Sequence, residues 1–261
     1  MERIPRDTEA TIITNTHRHN SAGAAQGIHK GTAHQKIHLY SLKTYALTTQ
    51  EVSLAETFCY TTTMKQVIVI HGGTTFSSYE KFIDGLRTKK VYLERLQPLR
   101  SWKEKLQDDL GPEYQVLLPT MPNASNARYS EWKLWFDRIT EVITDDCILV
   151  GHSLGGIFLA KYLSESSFPK SITATILIAA PYNDETGEDL TDFKLKNMSD
   201  LFTRQAGTVV FYNGLDDPVI PIEERDNFMR ELPKATFHTI PAPDHFVRTD
   251  FPELIQTIKS L

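Results

Sequence analysis

The chain has 261 residues, of which 40% are hydrophobic and 23% charged, a balance that suits one large soluble domain or a domain plus a tail. A net charge of −5 and a pI near 6.0 leave no basic footprint for nucleic acid and no polybasic patch for a membrane surface. No apolar run approaches the roughly 20 residues a membrane helix needs, and two cysteines, Cys59 and Cys147, cannot build a disulfide framework, so a reducing, cytoplasmic setting is expected.

Residues 1–63 differ from the rest. They hold five of the nine histidines (His17, His19, His29, His34, His38) and show no sustained helical or strand period, so a disordered or loosely attached N-terminal extension is expected. The histidine spacing follows no zinc-ligand pattern, and no metal site is expected there. Met1 to Ala10 mixes charges and proline where a signal peptide needs an apolar core. An extended reading frame, with Met64 as the start, is another account of this stretch. The domain is expected to occupy 64–261.

From Met64 onward strands and helices alternate. Gln66 to Ile70 is a continuous apolar strand, followed by the loop His71-Gly72-Gly73-Thr74-Thr75. Tyr79 to Leu96 reads as helical and Leu99 to Leu110 continues it, ended by Gly111-Pro112. Tyr114 to Pro119 is the next strand. Ser130 is the expected cap of a helix whose apolar stripe, Trp132, Trp135, Phe136, Ile139, Val142 and Ile143, should pack into the core. Further strands are expected over Cys147–Val150, Thr173–Ala180, Thr208–Tyr212 and Ala235–Ile240, with helices over Gly156–Leu163, Glu223–Leu232 and Phe251–Leu261. Near-continuous apolar strands alternating with helices mean an α/β fold: a mostly parallel sheet flanked by helices on both faces.

Gly151-His152-Ser153-Leu154-Gly155 stands between one of those strands and its helix. G-x-S-x-G at a strand-to-helix turn is a nucleophile elbow; the bare pattern arises by chance in roughly one such chain in twenty, and the flanking strand and helix are what raise it. The glycines let strand and helix approach, and the helix N-terminus aims amide donors at the reaction centre. Ser153 is therefore the candidate nucleophile, with the amide of Leu154 as one oxyanion donor and that of Gly73 or Thr74 as the other. The loop 71–75 lacks both nucleotide-binding glycine spacings, and His71 is expected to be structural. Functional groups of such sheets gather beyond the carboxyl ends of the strands. An acid should follow the strand 208–212, where Asp216 and Asp217 stand, and a base should follow the last strand, where His245 stands. His152 is expected only to pack or orient, and Asp244 to cap a loop or to be a surface charge.

Taken together, VIVIHGG at 67–73, EWKLWF at 131–136, GHSLGG at 151–156, DDPVIP at 216–221, PDHF at 243–246 and FPELI at 251–255 resemble the α/β-hydrolase superfamily. More narrowly, 64–261 is similar to the compact serine hydrolases related to retinoblastoma-binding protein nine and bacterial YdeN. That resemblance favours Asp217 over Asp216, because a glycine three before and a proline four after resemble the acid loop of the class. It implies a small hydrolase with little or no cap domain, esterase-like or amidase/peptidase-like, with the catalytic triad Ser153, Asp217 and His245 and no cofactor. The substrate would be a small-molecule ester or amide. A protein-binding module on a hydrolase fold, with weak or silent activity, is the alternative reading, since fold does not fix function; a protein partner is compatible with the family but not indicated by the residues. The length of 79–110 leaves room for a small extra element over the site.

Overall fold

The computed structural model describes residues 64–97, 100–183 and 189–261, all within the second of two units, Phe58–Leu261. The expected extension over 1–63, with its histidines and Cys59, lies outside the described residues.

Six strands form one sheet: β1 (Lys65–Ile70), β2 (Tyr114–Leu117), β3 (Cys147–His152), β4 (Ile172–Ile178), β5 (Thr208–Gly214) and β6 (Thr236–Ile240). Their order is β2-β1-β3-β4-β5-β6, and every pairing is parallel. Seven helices complete the described fold: α1 (Tyr79–Thr88), α2 (Trp102–Leu110), α3 (Tyr129–Thr140), α4 (Leu154–Glu165), α5 (Asp200–Gln205), α6 (Glu223–Glu231) and α7 (Pro252–Ser260).

The period of two along each strand divides the core. Ile68, Ile70, Leu149, Leu177 and Phe211 face one side, where they pack with α3, α4, α5 and α6 through Trp132, Phe136, Phe158, Phe202 and Phe228. Val67, Val69, Ile148, Val150, Ile176 and Tyr212 face the other, against Trp102, Leu106 and Leu110 of α2 and Leu254 and Ile258 of α7. This is an α/β fold with both faces covered. Each fully buried Leu, Phe or Val side chain contributes about 1.5–3 kcal/mol. Cys147 sits in β3 as a free, buried thiol whose pKa burial pushes up to about 12. Among the described residues no helix is long and apolar enough to cross a membrane.

Three local expectations are corrected. The helical reading of 79–110 breaks into α1, a 3-10 turn over Leu93–Leu96 and α2. None of α1 is buried, so no core packing holds the segment to one long helix, whereas Ser101 and Glu104 start α2 with a capping box. Ser130 is not the cap of α3: the N-cap position is Arg128, and the Tyr129 amide donates instead to Asp192 Oδ2 at 3.1 Å. The aromatic stripe is also only partly core. Trp132, Phe136 and Ile143 are buried, but Trp135 and Val142 are 46% and 78% exposed: Trp135 lies off the face that α3 turns to the sheet, and Val142 lies in the turn after α3 has ended at Thr140.

Candidate active site

From β1 the chain runs to β2 on one side and then returns to β3 on the other, from which β4, β5 and β6 follow in order, so the sheet reverses its order between β1 and β3 and opens a crevice beyond those strand ends. At the end of β3 the chain turns straight into α4 through Ser153, held at φ 55° and ψ −121°. For a non-glycine residue this conformation costs about 1–3 kcal/mol. The tightness of the turn fixes its flanks: a Cβ on Gly151 would come within 2.5 Å of Gly155 O, and one on Gly155 within 2.3 Å of Ile70 O. Ser153 thus stands at the N-terminus of α4, beside the Leu154 amide.

The loop after β1 is held by His71. Met121 N–H donates to His71 Nε2 at 2.9 Å, so the ring proton is on Nδ1 and is donated to Gly72 O at 2.6 Å. Both ring nitrogens are thereby occupied, as a structural histidine requires. The Thr74 amide, one of the two oxyanion donors expected from this loop, is already engaged: it donates to Ala124 O at 2.8 Å, and Ala127 N–H returns a bond to Thr74 O at 2.9 Å. The Gly73 and Leu154 amides have no protein acceptor among the described residues.

Beyond β5 the two aspartates part. Asp217 has a fully buried side chain, and Oδ1 and Oδ2 lie 2.9 and 2.8 Å from His245 Nδ1. Val219 and Ile220 donate their amides to its Oδ1, so the carboxylate is oriented from both sides. Asp216 turns elsewhere and accepts the Ala242 amide at 2.6 Å, tying the loop after β5 to the one after β6. With a carboxylate at Nδ1, the His245 tautomer that presents a bare Nε2 is favoured. Among the described residues Nε2 makes no hydrogen bond, to Ser153 or to any other group; such contacts commonly tighten only when substrate is bound.

His245 and Phe246 are two successive residues in the left-handed region, at φ 55° and 54°, each costing about 1–2 kcal/mol. Asp244 accepts the Phe246 amide and pairs with Arg248, so it caps this loop as expected. His152, buried under the loop, places Nε2 2.9 Å from His245 O. Burial holds its pKa well below the ordinary value of 6.5, with Lys103 and His245 adding to the effect.

Gly72, Gly73, Ser153, Leu154 and His245 border one cavity of about 340 Å³, completed by Thr74, Thr75, His152, Pro181, Leu190, Val219 and Ile220. No lysine, arginine, aspartate or glutamate side chain is among these residues. The sequence reading missed the apolar wall of Pro181, Leu190, Val219 and Ile220. The Val-Ile pair inside DDPVIP was the available signal, being apolar in a loop beside the candidate acid. No cluster of His, Cys, Asp or Glu suited to a metal ion occurs among the described residues.

The arrangement brings together a strained hydroxyl, an imidazole on a buried carboxylate and, among the described residues, two unpaired amides around one pocket. Comparison with known proteins places it in a class. The chain belongs to the serine hydrolase family, whose model matches residues 97–248. It is similar to the serine hydrolase RBBP9 of Rattus norvegicus, with 28% identity over 160 residues, covering 58% of this chain and 79% of that protein. In fold it is similar to the ydeN gene product of B. subtilis, with a TM-score of 0.56 and 18% identity over 76% of this chain and 98% of that one. The protein is thus a hydrolase of the α/β-hydrolase fold, resembling RBBP9 and YdeN.

Proposed function

We propose that the domain at 64–261 cleaves ester or amide bonds of small substrates through an acyl-enzyme, with Ser153 as nucleophile, His245 as base and Asp217 as the group that fixes the imidazole. The observation that carries this reading is His245 Nδ1 held at 2.8 Å by the buried Asp217 carboxylate while His245 and Ser153 border the same cavity. Ser153 Oγ attacks the carbonyl carbon as His245 Nε2 takes its proton, and the Leu154 and Gly73 amides receive the oxyanion. His245 returns the proton to the departing alcohol or amine. Water then attacks the acyl-serine with the same base, releasing the acid and free Ser153.

Cavity size favours a small acyl group. The buried Cys147 thiol is compatible with a cytoplasmic setting and needs no disulfide partner. The test is labelling by a fluorophosphonate together with turnover of short p-nitrophenyl esters. Both should disappear in Ser153→Ala and fall steeply in His245→Ala. Undiminished labelling and turnover in Ser153→Ala would overturn the assignment.

A further inference from the structure

Two consecutive carbonyls of the left-handed pair point back into the domain, and each meets a buried N–H. His245 O lies 2.9 Å from His152 Nε2, and Phe246 O accepts from the Trp102 indole at 3.0 Å. A carbonyl can only accept, so His152 carries its proton on Nε2. Trp102 and His152 are both buried and meet edge-on, with ring centroids 6.5 Å apart. Two residues further, Arg248 O accepts the Trp102 amide at 2.9 Å. The capping box at Ser101 and Glu104 fixes where α2 begins, and so where Trp102 sits. The start of α2 and the end of β3 therefore grip the same short loop from two sides.

We propose that Trp102 and His152 are positioning residues for the base: together they clamp the carbonyls of His245 and Phe246, hold the left-handed turn and so keep the imidazole on Asp217. The inference rests on the reading of His245 as the base. Neither residue touches the acyl carbon; each acts through the geometry of His245. A displacement of about 1 Å at a catalytic group can cost on the order of a hundredfold in rate, so the clamp should appear in kcat and hardly in KM.

The experiment compares Trp102→Phe, His152→Phe and His152→Gln in the full chain, with Ser153→Ala and Asp217→Asn as controls. Phenylalanine keeps an aromatic ring and removes the N–H, with some loss of buried volume at 102, whereas a glutamine side chain in place of His152 can still donate to the His245 carbonyl. Both phenylalanine variants should lower kcat for a short activated ester by about tenfold or more, with KM within about twofold, and His152→Gln should recover most of the loss. A second readout does not depend on turnover. The proton between His245 Nδ1 and Asp217 should give a downfield resonance, identified by its loss in Asp217→Asn and retained in Ser153→Ala. That resonance should broaden or vanish in both phenylalanine variants. If it persists in folded Trp102→Phe, with kcat unchanged, the clamp is overturned even if Ser153 is the nucleophile; if His152→Phe does not fold, Trp102→Phe decides. A native chain without Ser153-dependent turnover, but whose resonance still requires Trp102, would keep the clamp and overturn the hydrolytic assignment instead.

Discussion

Gly214 lies so close to Asp217 that a Cβ added at 214 would come within 2.6 Å of the Asp217 Cβ and 2.9 Å of the Ala242 Cβ. The nearest atom sits next to the backbone and cannot swing aside, so a larger residue must move the loop that carries the carboxylate. Gly214→Ala should cost about 1–3 kcal/mol, the usual range for overpacking, and lower ester turnover more than tenfold. Urea unfolding and the ester assay read the two effects separately. Full activity in this variant would mean that the acid loop tolerates displacement.

The divergence of Asp216 and Asp217 gives a paired test. Asp217→Asn should lower kcat by roughly 10³–10⁴-fold, because an amide can stabilise the wrong imidazole tautomer and cannot balance the imidazolium. Asp216→Asn keeps an acceptor for the Ala242 amide and should retain most of the rate. The reverse ranking would move the acid to Asp216.

Stability should carry a signature of His152. Its folded pKa lies below 6.5 because of burial, so below pH 6.5 the unfolded chain binds a proton that the folded chain refuses. The contribution is therefore present above pH 6.5 and is lost as pH falls, by at most about 1.4 kcal/mol per pH unit. Denaturant midpoints measured from pH 7 to pH 5 should fall less steeply in His152→Gln than in the native chain. Parallel slopes would contradict a neutral, buried imidazole.

Glu224 is buried in α6 and accepts the Tyr182 amide at 2.6 Å and the Asn183 amide at 3.2 Å, next to Pro181 in the cavity wall. Glu224→Ala leaves those donors without their carboxylate and should cost about 2–3 kcal/mol. Glu224→Gln, which keeps one acceptor oxygen, should lose less. Because the wall loosens while Ser153 and His245 stay in place, KM should rise more than kcat falls.

The sequence was legible where one short segment sets the geometry. The apolar strands and the Gly151 to Gly155 turn announced the sheet, the crevice and the position of Ser153. Chain order and the strand ends pointed to Asp216 or Asp217 as the candidate acid and to His245 as the candidate base, and the choice of Asp217 came from the family resemblance. What remained hidden was set by partners distant in sequence. Asp192 supplies the acceptor for the Tyr129 amide from 63 positions away, so the local cap at Ser130 misled. Trp132 and Trp135 look equivalent in sequence, yet one is fully buried and the other 46% exposed, since the sheet chooses the face. The engagement of the Thr74 amide by Ala124 was likewise invisible, because it depends on a loop about 50 residues later. Trp102 gave no hint of its place under Phe246.

The strand order also has a consequence during synthesis. β1 forms its parallel ladders with Tyr114–Leu117 and with Ile148–Gly151, so its partners are about 50 and 80 residues further along the chain. At about 5–20 residues per second, the second partner follows several seconds or more after Val67–Ile70 has been made. Through that interval an apolar β-rich segment lacks its native neighbour, and distant parallel pairing is intrinsically slow to form. The strand that later supports the glycine loop beside Ser153 is thus the one a nascent-chain chaperone would have most reason to shield.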